Sequence, residues 1–165
     1  LNILIISLVI ILVSCSGHQK LMKSTDSEAK YSAALDYYEK NDYYRSLQLM
    51  QPLSNFYKGT DKAELLEYNI AYSHYMLKDY ILASYYFKKF TTNYPRSQYA
   101  EEAWFLSAYC YFLDSPKSSL DQTNTVEAIS QLQLFIQMFP NSDRVEESYE
   151  LIDKLFLKLQ EILSI

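Results

Sequence analysis

Three columns of residues recur at a spacing of 37 along this 165-residue chain: Tyr31, Tyr68 and Phe105; Leu35, Tyr72 and Tyr109; Tyr38, Tyr75 and Phe112. Eight of the nine are aromatic, so the chemistry they offer is non-covalent: wide contact area and, in Tyr, a polar tip. Residues for covalent work are scarce. His18 and His74 stand far apart, as do Cys15 and Cys110, and no cluster has the spacing of metal ligands. With Gly17 and Gly59 as the only glycines, no phosphate-cradling loop can be built. Glu101 and Glu102 are adjacent, hence on different faces of a helix, and read as partners of its dipole rather than as an acid–base pair. Neither an enzyme nor a cofactor is expected. A net charge of −5 with only three Arg leaves no footprint for nucleic acid.

The elements that must hold the aromatic columns are helices. Two glycines and four prolines are too few breakers for turn-rich sheet. Two stretches, FTTNYPRSQYAEEA (Phe90 to Ala103) and FIQMFPNSDRVEES (Phe135 to Ser148), repeat one pattern 45 residues apart. Further columns are Leu53, Phe90 and Phe135; Tyr57, Tyr94 and Phe139; Thr60, Ser97 and Ser142; and the small residues Ser46, Ala83 and Ala128. The step from 37 to 45 is an insertion between Leu113 and Val126, polar and Pro-containing as a loop should be. Such a period, with two helices per unit, is that of a helical repeat array. Helices are expected at about 26–41, 43–56, 61–77, 80–93, 97–113, 125–138 and 142–163. Pro stops the second and third units, the aromatic before it covers the helix end, and Ser or Thr two residues on is placed to cap the next helix.

These positions resemble the tetratricopeptide pattern: Ala71, His74, Ala83, Phe87 and Pro95 in the second unit, Trp104, Ala108, Tyr111, Ala128 and Pro140 in the third. The first unit is degenerate, with Lys58 where Pro is expected. The resemblance implies an all-α fold, a right-handed superhelix (α-solenoid) of about three helix pairs over 26–141. Residues 142–165 then form a terminal helix that caps the array or opens another repeat. Cys110 and His74 are expected to be packing residues.

The amino terminus reads differently. Ile3 to Val13 is an 11-residue apolar run, too short to span a bilayer and suited to a signal-peptide core. It ends at LVSC, Leu12 to Cys15, which resembles the lipobox of bacterial lipoprotein signals, although no Lys or Arg precedes the run. That resemblance implies a signal peptide at 1–14, lipidation at Cys15 and a polar, flexible tether over 15–25. Ser16 after the Cys is compatible, by the same resemblance, with sorting to the outer membrane.

Together, a lipobox, repeats that follow at once, an insertion in the third unit and FPNS opening a long helix resemble the BamD family, lipoproteins of the outer-membrane β-barrel assembly machinery. DQTNTVEAISQLQLFIQMFPNSDRVEES, Asp121 to Ser148, carries the likeness most specifically. The resemblance implies a lipid-anchored scaffold on the outer membrane, facing the periplasm, with β-barrel assembly subunits and unfolded outer-membrane proteins as partners. Proteins of that family usually have five repeats, against three and one helix in this chain. The expected peptide-binding groove comprises Tyr31, Tyr38, Tyr68, Tyr72, Tyr75, Phe105, Tyr109 and Phe112. An aromatic stripe at helical spacing suits a core equally well, and burial distinguishes the two. Other repeat-bearing lipoproteins, adaptors of division or envelope maintenance or glycan-capture proteins, are the alternatives.

Overall fold

A computed structural model describes residues 17–115 and 121–163. The expected signal peptide, Cys15 and residues 116–120 of the insertion lie outside the described residues. Seven long helices follow one another: α1 (Ser27–Glu39), α2 (Tyr43–Phe56), α3 (Asp61–Met76), α4 (Tyr80–Asn93), α5 (Ala100–Leu113), α6 (Thr123–Met138) and α7 (Val145–Leu163). Among the described residues there is no strand, and the fold is all-α, a tetratricopeptide-like succession of packed helices, as the periodicity requires. Every helix end lies within three residues of its expected place.

The helix starts follow two schemes. Asp26 caps α1 by accepting from the Ala29 N–H at 3.0 Å, and Asp42 caps α2 through the Arg45 N–H at 3.2 Å. The serines before α5 and α7 were expected to cap in the same way and do not. Ser97 Oγ accepts from the Tyr99 N–H at 3.0 Å and Ser142 Oγ from the Arg144 N–H at 3.1 Å, each closing a turn two residues long. The helices begin only at Ala100 and Val145, because the chain leaves Pro through turns held by carbonyl bonds such as Ala100 N–H to Ser97 O. Thr60 likewise donates its hydroxyl back to the Tyr57 carbonyl. This displacement brings Glu101, Glu102, Glu146 and Glu147 into the first turns, where the helix dipole favours them.

The connections inside the first two pairs are copies. Asn41 at φ 60° and Lys78 at φ 63° are 37 residues apart and end α1 and α3 in the left-handed region. Around each, the next residue's N–H reaches back to a helix carbonyl: Asp42 to Tyr37 at 2.8 Å and Asp79 to His74 at 2.9 Å. Those bonds satisfy carbonyls the helix end leaves open.

The chain divides into two compact units, up to Leu66 and from Glu67 onward. In the first, Ala34, Leu49, Met50, Leu53, Ala63 and Leu66 form the interior. Ser46 is fully buried and donates to the Ala34 carbonyl at 2.8 Å, so its small side chain brings α2 close to α1. Residues 17–23, expected within a flexible tether, are instead helical. His18 is buried there, bonded through Nε2 to Gln48 Oε1 at 2.7 Å and edge-on to Tyr37.

In the second unit, Phe87, Phe90, Phe105, Leu132, Phe135 and Leu155 fill the interior. Ala71, Ala83, Ala108 and Ala128 are the small buried residues of the repeat columns. Helix contact is close enough for Ser107 Oγ on α5 to reach the Ser84 carbonyl on α4 at 3.1 Å. Tyr94 and Phe139 stand at the ends of α4 and α6, packed against Phe90 and Phe135, as the repeated punctuation implied. After the insertion, Lys158 of α7 donates to the Ser115 carbonyl at 2.9 Å and tethers the loop's first end.

Candidate functional site

The second unit carries a continuous run of rings from α3 and α5. Tyr68, Tyr72 and Tyr75 line α3 at four- and three-residue steps, and Phe105, Tyr109 and Phe112 line α5 in the same steps. Ring centres lie 6.2 Å apart from Tyr68 to Tyr72, 5.8 Å from Tyr72 to Tyr75, and 6.4 Å from Tyr75 across to Tyr109. Tyr109 then stacks on Phe105 and on Phe112, each at 5.7 Å. The sequence-derived set divides by depth. Tyr68 is 6% exposed and Phe105 1%, so these two are interior residues, while Tyr72, Tyr75, Tyr109 and Phe112 are half-buried. Burial, with Tyr109 adding to it, raises the pKa of the Tyr75 phenol, which therefore stays a neutral hydrogen-bonding group.

Beside this stripe, where α5 and α7 begin, a cleft of about 300 Å³ is lined by Gln98, Glu101, Glu102, Ser142, Asp143 and Arg144. The repeated Pro-x-Ser turns build both of its walls. Glu102 joins cleft to stripe by accepting the Tyr68 hydroxyl at 2.8 Å, which answers how a buried phenol is satisfied. Arg144 joins them a second time: its guanidinium carbon stands 4.7 Å from the Phe105 ring centre while Nη1 bonds Glu147 at 2.7 Å. The Glu147 bond, with Glu102 nearby, raises the Arg144 pKa and holds it cationic. The site thus presents apolar ring faces, phenol tips, carboxylates and one fixed cation.

Tyr31 and Tyr38 belong to the first unit and are half-buried. Tyr31 packs edge-on to Tyr57 at 5.5 Å, and Tyr38 to Tyr43 at 5.6 Å. Lys62 Nζ lies 4.7 Å from the Tyr31 ring centre and bonds Glu28 at 2.6 Å, while the Tyr57 hydroxyl bonds the same carboxylate at 2.8 Å. Lys62, followed by Tyr57, lowers the pKa of Glu28.

One rule runs through all three repeats. Lys62 covers Tyr31, Tyr99 stacks on Tyr68 at 4.5 Å, and Arg144 covers Phe105. These covering residues occupy one column at the 37 and 45 spacings. Sequence reasoning missed it because Lys, Tyr and Arg share no obvious property; what they share is the ability to pack on a ring face, as a cation or as a stacked ring.

Groups for covalent chemistry are disposed otherwise. Burial, with Asp114 adding, pushes the Cys110 thiol up to about 12, so it stays protonated. His74 is buried against Tyr86, with rings parallel within 9° and centred 5.0 Å apart. Among the described residues, no three His, Cys, Asp or Glu converge to hold a metal ion. No described helix is long and apolar enough to cross a membrane.

The family model YfiO, described as outer membrane lipoprotein, matches residues 23–160. The chain belongs to that family. Similar YfiO-type relatives include the outer membrane protein assembly factor BamD of Caulobacter vibrioides, 26% identical over 149 residues, which cover 84% of this chain and 47% of the relative. Another is the putative outer membrane protein assembly factor BamD of Aquifex aeolicus, 27% identical over 117 residues, covering 70% of this chain and 38% of that protein. The chain spans less than half the length of these two relatives.

Proposed function

We propose that this YfiO-family chain is a lipid-anchored, periplasm-facing scaffold of outer-membrane protein assembly. It binds unfolded β-barrel proteins and partner assembly subunits through its surfaces, without catalysis and without a cofactor. The observation that carries this reading is the family match over residues 23–160. The names of the relatives support it, as does Cys15 placed one residue beyond an apolar run. Each acyl methylene buried in a bilayer contributes about 0.8 kcal/mol, and two or more chains at Cys15 anchor the protein durably.

The half-buried rings Tyr72, Tyr75, Tyr109 and Phe112 suit an extended apolar peptide, whose side chains can stack while its backbone meets phenol tips. Tyr31 and Tyr38 offer similar chemistry in the first unit. Tyr68 and Phe105 serve as the floor on which those rings rest.

Two measurements test this. Replacing Tyr72 and Tyr109 together by Ala is expected to weaken binding of a peptide ending in an aromatic residue by roughly tenfold or more, with helical circular dichroism retained. Unchanged affinity removes the groove. Capture of the full chain from detergent-solubilised envelopes is expected to bring down a β-barrel assembly subunit. Recovery of a division protein or a glycan transporter instead refutes the assembly role.

A further inference from the structure

The turn that joins α3 to α4 carries a patch of exposed apolar side chains that the aromatic stripe does not use. Met76 and Leu77 close α3, and Ile81, Leu82 and Tyr85 line the outer face of α4; all five are exposed, Ile81 by 66% and Tyr85 by 59%. The same outer face continues to Lys88 and Lys89, both exposed. Lys78 stands exposed in the turn itself. Of the acidic neighbours, Asp79 keeps its side chain 45% exposed while approaching the buried His74 at 3.3 Å, and Glu67 receives the Asn93 amide at 2.8 Å with Lys89 at 4.0 Å. Val126, at the position of Ile81 one repeat later, is also exposed by 57%.

We propose that this hairpin tip is a lipid-surface contact, in which Met76, Leu77, Ile81 and Leu82 enter the boundary of an anionic bilayer and Lys88 and Lys89 meet its phosphates. The order of side chains along the helix favours lipid over a protein groove. From the turn outward, α4 presents aliphatic residues, then a Tyr, then two Lys. That is the order of depth in a membrane interface: hydrocarbon, aromatic belt, charged headgroup. The rise from Ile81 to Lys88 is about 10 Å, close to the depth of roughly 5–10 Å to which an interfacial helix buries its apolar face. Lys78, although in the turn, has a stem long enough to carry its ammonium back to the headgroups. A chain of net charge −5 that nevertheless gathers lysines around its exposed apolar tip is complementary to an acidic lipid surface. This contact is separate from acylation at Cys15 and from any peptide on the aromatic stripe.

Depth-dependent fluorescence quenching tests it in the full chain. Tyr85→Trp, in a Trp104→Phe background, is mixed with vesicles of phosphatidylethanolamine and phosphatidylglycerol carrying bromine on their acyl chains. The expected result is a blue-shifted emission that bromine quenches, whereas Thr92→Trp, at the far end of the same helix, is not quenched. Adding Ile81→Asp is expected to abolish quenching at position 85 while helical circular dichroism persists, and Lys88→Gln to raise the lipid needed for half-maximal quenching roughly fivefold. Unquenched, water-like emission at position 85 overturns the proposal. So does a blue shift that appears only with lipid-free envelope proteins, which assigns the patch to a protein partner. Because no substrate peptide is present, failure here leaves the assembly role to its own test.

Discussion

Arg144 stands over the face of Phe105, its guanidinium carbon 4.7 Å from the ring centre, and thereby ties the turn before α7 to the interior of α5. Lys62 over Tyr31 and Tyr99 on Tyr68 repeat the arrangement. Tyr31, Tyr68 and Phe105, the first aromatic column, are therefore each covered by whatever stacking or cationic side chain occupies one fixed position.

If that seal matters energetically, Arg144→Ala lowers stability by about 0.5–1 kcal/mol, the range of a cation on a ring at a partly exposed site. Arg144→Lys is expected to lose less than Arg144→Ala, and Arg144→Tyr, which restores the stacking seen at Tyr99, less still. Urea denaturation of the three variants gives the ranking, and an equal loss in all of them contradicts the account.

The small columns bear on helix approach. Ala108 is 1% exposed on α5, beside Ser107, which already touches the α4 backbone. Ala108→Leu is expected to cost about 1–3 kcal/mol by overpacking, seen as a fall in the denaturation midpoint, while Ser130→Leu at an exposed position has little effect.

Lys78 adopts φ 63° where glycine is unstrained. Lys78→Gly is expected to stabilise the protein by about 0.5–1 kcal/mol, with Lys78→Asn in between. Thermal melts check both, and a lowered melting temperature in Lys78→Gly refutes the strain.

His74 makes stability depend on pH. Burial lowers its pKa below the ordinary 6.5, and the nearby Asp79 offsets only part of that. Below pH 6.5 the unfolded chain binds a proton that the folded one resists, so the stabilisation present above 6.5 is lost as pH falls through the folded pKa. Denaturant midpoints should drop on acidification in that window, and His74→Phe, which keeps the stack on Tyr86, should remove this component of the slope.

The spacing of breakers, small residues and aromatics was enough to place the seven long helices, though not the short helix at 17–23, because 3.6-residue periodicity and Pro–Ser punctuation are local properties of the chain. It also marked Ala71, Ala108 and Cys110 as packing residues, since burial of small side chains is what a close helix crossing demands. It could not place the serines Ser97 and Ser142, whose hydroxyls close turns rather than cap helices. That choice depends on how the chain leaves each Pro, a matter of backbone path. Nor could it sort Tyr68 and Phe105 from Tyr72, Tyr75, Tyr109 and Phe112, because all six occupy equivalent helix faces. Depth was decided by neighbours brought from elsewhere in the chain. Tyr99 and Glu102 bury and satisfy Tyr68, and Arg144 and Phe135 close over Phe105. The helices follow from the order of residues, whereas which rings are left facing outward follows from the helices meeting.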